Sequence, residues 1–266
     1  MDLELKGKTA IVTGGSKGIG KAVARELANE GVDVAIVARS REALEETAAE
    51  LAKETGRRIV PIVADTRDDE SVRAMVVQTM KALGRVDILV NSAAKPAGQG
   101  PVPKLGEITN ELFWEDMNTK VMGYIRCARE TVPIMKKNGW GRIINISGLG
   151  ARYSGSTIGS MRNIAVSAMT KNLADELGPH GINVTVVHPG MTYTERIPGL
   201  VAERAEAQNV SEEEIERQLR EANSVKKLID AREVAHVVAF LASPKSISIN
   251  GDAVVCGGGV GNAIYY

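Results

Sequence analysis

The 266-residue chain has only two cysteines, Cys127 and Cys256, too few for a disulfide framework. It has no net charge: 33 basic residues balance 33 acidic ones, so no overall field recruits nucleic acid or an anionic membrane. It has no apolar run near the roughly 20 residues that span a bilayer, no low-complexity segment and no repeat of fixed length. The opening Met1-Asp2-Leu3-Glu4 lacks the basic-then-apolar pattern of a secretory leader, so a cytoplasmic location is expected. No metal, nucleic acid or membrane partner is expected. What remains is a chain long enough for one large α/β domain with its own core, and a small molecule as its substrate.

What is present begins with Ile11-Val12-Thr13-Gly14-Gly15-Ser16-Lys17-Gly18-Ile19-Gly20, a buried strand running through a glycine-rich turn into a helix. Glycines at 14, 18 and 20 let the backbone turn sharply and approach a pyrophosphate. The helix from Ile19 offers unpaired N–H groups and the positive end of its dipole. Gly14, Ser16, Lys17, Gly18, Ile19 and Gly20 are therefore the candidate phosphate-binding set. A glycine turn alone also serves as a plain strand-to-helix connection, so its context decides.

The context is repeated βαβ patterning. Strands are expected at Thr9–Thr13, Asp33–Val37 and Ile59–Val63, followed by helices at Ile19–Asn29, Arg41–Thr55 and Asp69–Leu83. Further strands fall at Val86–Val90, Arg142–Ile146, Val184–His188 and Ala253–Cys256, with helices over about Thr109–Lys136 and Gly159–Leu177. The strands are almost wholly apolar rather than alternating, which indicates a parallel sheet buried on both faces. Residues 192–227, dense in charge around Ser211–Leu219, break the rhythm. They follow a strand's carboxyl end, so they read as a substrate lid or as a solvated surface helix. The apolar ending Ala263–Tyr266 packs on its own subunit or closes a neighbour's site.

A dinucleotide site selective for NAD carries an acid at the end of the second strand, to bond the ribose 2′-hydroxyl. Here that strand ends Val37-Ala38-Arg39-Ser40. A guanidinium there pairs with a 2′-phosphate, Ser40 adds a hydroxyl, and Lys17 reaches the same group, so NADP (as NADPH) is preferred over NAD.

Taken together, these residues resemble the classical short-chain dehydrogenase/reductase family over nearly the whole chain. Thr13-Gly14, Gly18 and Gly20 match its glycine turn, and Asp65, with Thr66 beside it, lies where the family's acid contacts adenine. Asn91-Ser92-Ala93-Ala94 resembles the motif closing strand four, which makes Asn91 and Ala93 cofactor candidates. Pro189-Gly190 with Thr192 and Thr194 is similar to the segment that meets the nicotinamide carboxamide. The resemblance implies a Rossmann-like, doubly wound parallel sheet of about seven strands in three α/β/α layers. It also implies one domain over residues 1–266, a nicotinamide dinucleotide, and a homodimer or homotetramer formed through the helices after strands four and five.

The match fails at the chemistry that the family implies. Alignment on Ala165-Val166 and Thr170-Lys171 puts Gly159 at the tyrosine position and Asn163 at the lysine position of the Tyr-Xaa3-Lys motif. Alignment on Gly123 and Val132-Pro133 puts Lys120 where the family has asparagine, and only Ser147 stands for its serine. The two polar changes are reciprocal, which reads as a swap: Lys120 fills the volume of the usual lysine, with Asn163 holding it or the ribose. The competing reading is a dead site that has lost its residues. Replacements for the tyrosine are Tyr153, Tyr193, His188 and Lys120 itself with its pKa lowered by burial. Each of the first three also has a packing role open to it. Three functions follow as alternatives: an NADP-dependent oxidoreductase on a carbonyl or alcohol with a rebuilt centre, a non-redox lyase, dehydratase or hydrolase on the same scaffold, or a catalytically silent NADP-binding protein. Fold alone does not choose among them.

Overall fold

A computed structural model describes residues 1–94 and 102–261. Apolar strands that bury both faces need a helical layer on each side, and the chain builds them in order. The strands are β1 (Thr9–Thr13), β2 (Asp33–Ala38), β3 (Ile59–Val63), β4 (Ile88–Asn91), β5 (Gly141–Ile146), β6 (Ile182–Pro189), the short pair β7 (Thr192–Tyr193) and β8 (Ile229–Asp230), and β9 (Ala253–Cys256). The helices are α1 (Gly18–Asn29), α2 (Arg41–Thr55), α3 (Asp69–Leu83), α4 (Asn110–Met117), α5 (Gly123–Asn138), α6 (Thr157–Leu177), α7 (Ile197–Gln208), α8 (Glu212–Glu221) and α9 (Ala231–Ala242).

The central sheet is seven-stranded and parallel, in the order β3-β2-β1-β4-β5-β6-β9. Adjacent residues of one strand feed opposite cores: Ala10 and Val12 pack with Leu27, Leu44, Val234 and Val238 on the face covered by α1, α2 and α9. Ile11 packs with Met75, Cys127, Met135 and Leu177 on the face covered by α3, α5 and α6. Strand order reverses between β1 and β4, which opens a crevice at their carboxyl ends, where open α/β sheets bind ligands.

The expected elements are present, with informative shifts at their ends. The fourth strand starts at Ile88 rather than Val86, because the Asp87 carboxylate is committed to Thr9 N (2.9 Å) and the Arg85 guanidinium (2.6 Å). The helix after β5 starts at Thr157 rather than Gly159, because Ser156 caps it by accepting from Gly159 N at 3.1 Å. The long helix expected over Thr109–Lys136 is not continuous. One π-helical turn, Asn118–Met122, separates α4 from α5. Residues 192–227 fold as β7, α7 and α8, the two helices closing a small core of Ile197, Val201, Ala205, Ile215 and Leu219. The ending Ala263–Tyr266 lies outside the described residues.

Candidate active site

The glycine turn leaves β1 under tight constraint. Gly14 has φ +68°, and a Cβ there would lie 3.0 Å from the Ser92 carbonyl group. A Cβ at Gly20 would lie 2.2 Å from the Gly14 oxygen, so any side chain at Gly20 would force the turn open. Thr13 ties the turn to β4: its Oγ1 accepts from the backbone N–H of Ser92 (3.0 Å) and of Ala93 (3.1 Å). The Lys17 side chain does not cap α1, so the first N–H groups of that helix remain available to an anion. One of them is taken by the chain itself, since Gly18 N donates to Glu195 Oε1 at 2.9 Å. Nothing in the sequence pointed to Glu195, which lies 177 residues away.

Arg39 and Lys17 are exposed, and neither has an ion pair among the described residues. Ser40 caps α2 by accepting from Ala43 N at 3.5 Å, which leaves its hydroxyl proton free. The Asp65 carboxylate is gripped by Arg67 (2.6 Å), and that hydrogen bond, with a smaller push from the Arg39 charge, holds its pKa below the usual carboxylate value. Thr66 is buried beside α5. Asn91 Nδ2 donates to Asn145 Oδ1 (2.9 Å), Asn145 Nδ2 donates on to Thr170 Oγ1 (3.0 Å), and Asn91 Oδ1 is buried without a protein partner among the described residues. Ile19 is partly buried behind the turn. Pro189 ends β6, and Gly190 N donates to the Cys256 carbonyl at 3.0 Å. Thr192 Oγ1 donates to the Gly190 carbonyl (3.0 Å), and the Thr194 methyl lies 3.6 Å from where a Gly18 Cβ would be. Gly14, Gly20, Thr13, Arg39 and Lys17 thus leave a cradle and two cations without an ion pair among the described residues, which suits a phosphorylated dinucleotide.

At the other end of the crevice, Lys120, Ser147 and Asn163 meet. Lys120 lies in the π-turn, whose extra residue changes the helical register and carries this side chain inward until the residue is 3% exposed. Its Nζ donates to the Ser147 carbonyl and to Asn163 Oδ1, each at 3.0 Å. Ser147 Oγ donates to the Asn163 carbonyl (3.2 Å) and reaches its Oδ1 (3.3 Å). Burial lowers the Lys120 pKa to about 7, with the Arg162 charge adding to the shift and Asp116 opposing it. Asp116 and Arg162 form an ion pair at 2.5 Å beside the cluster.

The other proton-donor candidates are placed differently. Gly148 N donates to His188 Nδ1 (3.3 Å), so the neutral ring carries its proton on Nε2 and gives it to Ser167 Oγ (3.3 Å). Burial, then the charges of Arg152 and Lys120, push the His188 pKa down to about 4. Tyr153 Oη donates to the Val260 carbonyl. Tyr193 lines a cleft of about 250 Å³ with Gly18, Lys21, Arg25 and Glu195, and none of Lys120, Ser147 or Asn163 lines that cleft. Gly159 sits in the first turn of α6, where a Cβ would lie 3.0 Å from Ser156 Oγ. Among the described residues, no group of three or more His, Cys, Asp or Glu is placed to hold a metal, and no helix is long and apolar enough to cross a membrane.

Glu195 yields a direct prediction. Removing its charge takes a carboxylate away from an N–H group that an anion would use, so Glu195→Gln tightens NADPH binding by about threefold, the scale of an exposed charge pair. Fluorescence titration of NADPH checks this, and weaker binding would contradict it.

A family model described as enoyl-(acyl carrier protein) reductase matches residues 14–261. The chain is 30% identical over 256 residues to the NADPH-dependent reductase BacG of Bacillus subtilis, covering 95% of this chain and 97% of that protein. It is 35% identical over 262 residues to the peroxisomal 2,4-dienoyl-CoA reductase of Danio rerio, covering 96% and 82%. The crystal structure of L-sorbose reductase from Gluconobacter frateurii, complexed with NADPH and L-sorbose, superposes with a TM-score of 0.91 at 29% identity, covering 98% of both chains.

Proposed function

This chain belongs to the short-chain dehydrogenase/reductase family, and from that premise we propose that it reduces a small-molecule carbonyl, or oxidises the matching alcohol, with Lys120 as the proton-transferring group. It is an oxidoreductase that uses NADP(H), in keeping with its relatives and with the cation Arg39 at the end of β2. The observation that carries the proposal is the pair of 3.0 Å bonds from Lys120 Nζ to the Ser147 carbonyl and Asn163 Oδ1.

Gly14, Ser16, Lys17, Gly18, Ile19 and Gly20 would hold the diphosphate, with Lys17, Arg39 and Ser40 on the 2′-phosphate. Asp65, Thr66, Asn91 and Ala93 would line the adenosine side, and Asn163, Pro189, Gly190, Thr192 and Thr194 the nicotinamide side. Bound NADPH supplies the hydride.

The rest is the work of the chain. An ammonium has three N–H bonds, and two of those on Lys120 are fixed on acceptors that never titrate. The third position is an N–H in the acid form and a lone pair in the neutral form, so Lys120 can give or take one proton along one direction. Its pKa of about 7 keeps both forms populated near neutrality. Asn163, at the position of the usual lysine, anchors the Lys120 ammonium through its Oδ1. Residues 192–227 serve as the lid. Exposed Leu112, Trp114, Met122, Met161 and Ile164, on α4, the π-turn and α6, support a homodimer or homotetramer through these helices. The two free cysteines accord with a cytoplasmic setting.

The sign of the pH dependence tests the reading. Reduction needs the ammonium, so kcat/KM for NADPH-dependent reduction is expected to fall about tenfold per unit as pH rises above about 7. Oxidation needs the neutral amine and rises through the same range. Turnover of a panel of carbonyl compounds, followed by nicotinamide absorbance and product mass, gives both profiles. A flat profile between pH 6 and 9 would remove Lys120 from the chemistry, and product formed without NADPH oxidation would favour a non-redox enzyme.

A further inference from the structure

The helix run bearing Lys120 is joined to α6 by a second polar bridge besides that of Lys120. Lys120 meets Asn163, and earlier on the same two elements Asp116 meets Arg162, its Oδ1 2.5 Å from Nη1. Asp116 lies four residues, about one helical turn, before Lys120, and Arg162 immediately precedes Asn163. The second bridge is largely buried, and Arg162 Nε has no partner among the described residues. An incompletely satisfied buried guanidinium is a poor way to stabilise a fold, because desolvation offsets the attraction and an apolar pair of the same volume would serve as well. Its cost suggests another role.

We propose that the Asp116–Arg162 ion pair is a positioning device for Lys120, fixing where the ammonium sits and how readily it releases its proton. This rests on the reading of Lys120 as the proton-transferring group. The carboxylate attracts the ammonium and the guanidinium repels it; paired, the two nearly cancel, and a small change in either tilts the balance. The charges that act on Lys120 itself are those of Arg162 and Asp116. Tyr124, on α5, donates its hydroxyl to the Ile146 carbonyl at 2.8 Å, and burial drives its pKa upward. His188, on β6, is neutral at pH 7, and Arg152, in the turn after β5, acts on His188. Burial lowers the Lys120 pKa most, and among the charges Arg162 lowers it while Asp116 raises it. Neither member of the pair is asked to touch substrate.

Opposite variants should therefore move Lys120 in opposite directions, which a merely structural pair would not do. The probe is the NMR titration of the side chain in protein labelled with ¹³C at lysine Cε, without cofactor, the signal being assigned by its loss in Lys120→Met. Wild type is expected to titrate near 7. Asp116→Asn leaves the guanidinium unopposed and lowers the midpoint by about one unit, whereas Arg162→Gln leaves the carboxylate facing Lys120 and raises it by about as much. Asp116→Glu keeps the charge and stays within a few tenths of a unit of wild type, so the Asn and Glu variants carry the test even if Arg162→Gln does not fold. Unmoved midpoints, or movement in the same direction in both charge-removing variants, would overturn the proposal while leaving Lys120 as the proton donor. A wild-type midpoint at the ordinary lysine value would overturn both readings together.

Discussion

Replacing Lys120 with methionine lowers the rate of NADPH-dependent reduction by about a hundred- to ten-thousandfold, the usual contribution of one positioned acid–base group. Methionine roughly matches the apolar stem and fills the slot between the π-turn and α6, but it has no proton to move. The loss therefore falls on kcat, and the pH dependence near 7 disappears with it. A stability measurement separates this from unfolding. The Lys120 pKa is lowered from 10.5 to about 7 on folding, so between those values the unfolded chain binds a proton that the folded chain does not. Stability contributed by this group therefore rises with pH through that window and is lowest below about 7. Lys120→Met should remove that slope from the Tm-against-pH curve while keeping a cooperative transition. A variant with kcat within threefold of wild type would exclude Lys120 as the proton donor.

Exchanging Arg39 for aspartate weakens NADPH binding by about a hundredfold and leaves NADH binding nearly unchanged or improved. The change acts twice on the same atoms: it removes a guanidinium able to grip a 2′-phosphate through two charge-assisted bonds, and it installs a like charge in its place. The same carboxylate can accept from a ribose 2′-hydroxyl, which is the NAD pattern. Arg39 is exposed and lies in no ion pair among the described residues, so its replacement costs the fold little. Nicotinamide fluorescence titrations with both dinucleotides measure the ratio. Equal losses for the two would remove Arg39 from cofactor selection.

Much of this protein was legible in one dimension because its signals are local. Apolar strand runs announce a sheet covered on both sides, and a glycine turn between strand and helix marks a candidate phosphate cradle. Arg39 in place of an acid announces NADP over NAD. The places where the reading slipped are those where a distant group intervened. Asp87 is taken up by Thr9 N, shortening β4, and the long helix breaks into a π-turn at Asn118–Met122 that no local propensity marks. The Glu195 contact on Gly18 joins residues 177 apart.

The divide runs through Lys120 itself. The sequence alone determined the candidates, Lys120 and Asn163 with Ser147 between them along the chain, because these follow from alignment of flanking residues. Only the tertiary structure decided that Nζ meets Asn163 Oδ1 and the Ser147 carbonyl at 3.0 Å, that the lysine is buried enough to lower its pKa, and that Asp116 and Arg162 stand beside it as a pair. The reason is physical: identity is a property of the chain, whereas desolvation and Coulomb energy depend on which atoms the folded chain brings within a few ångströms.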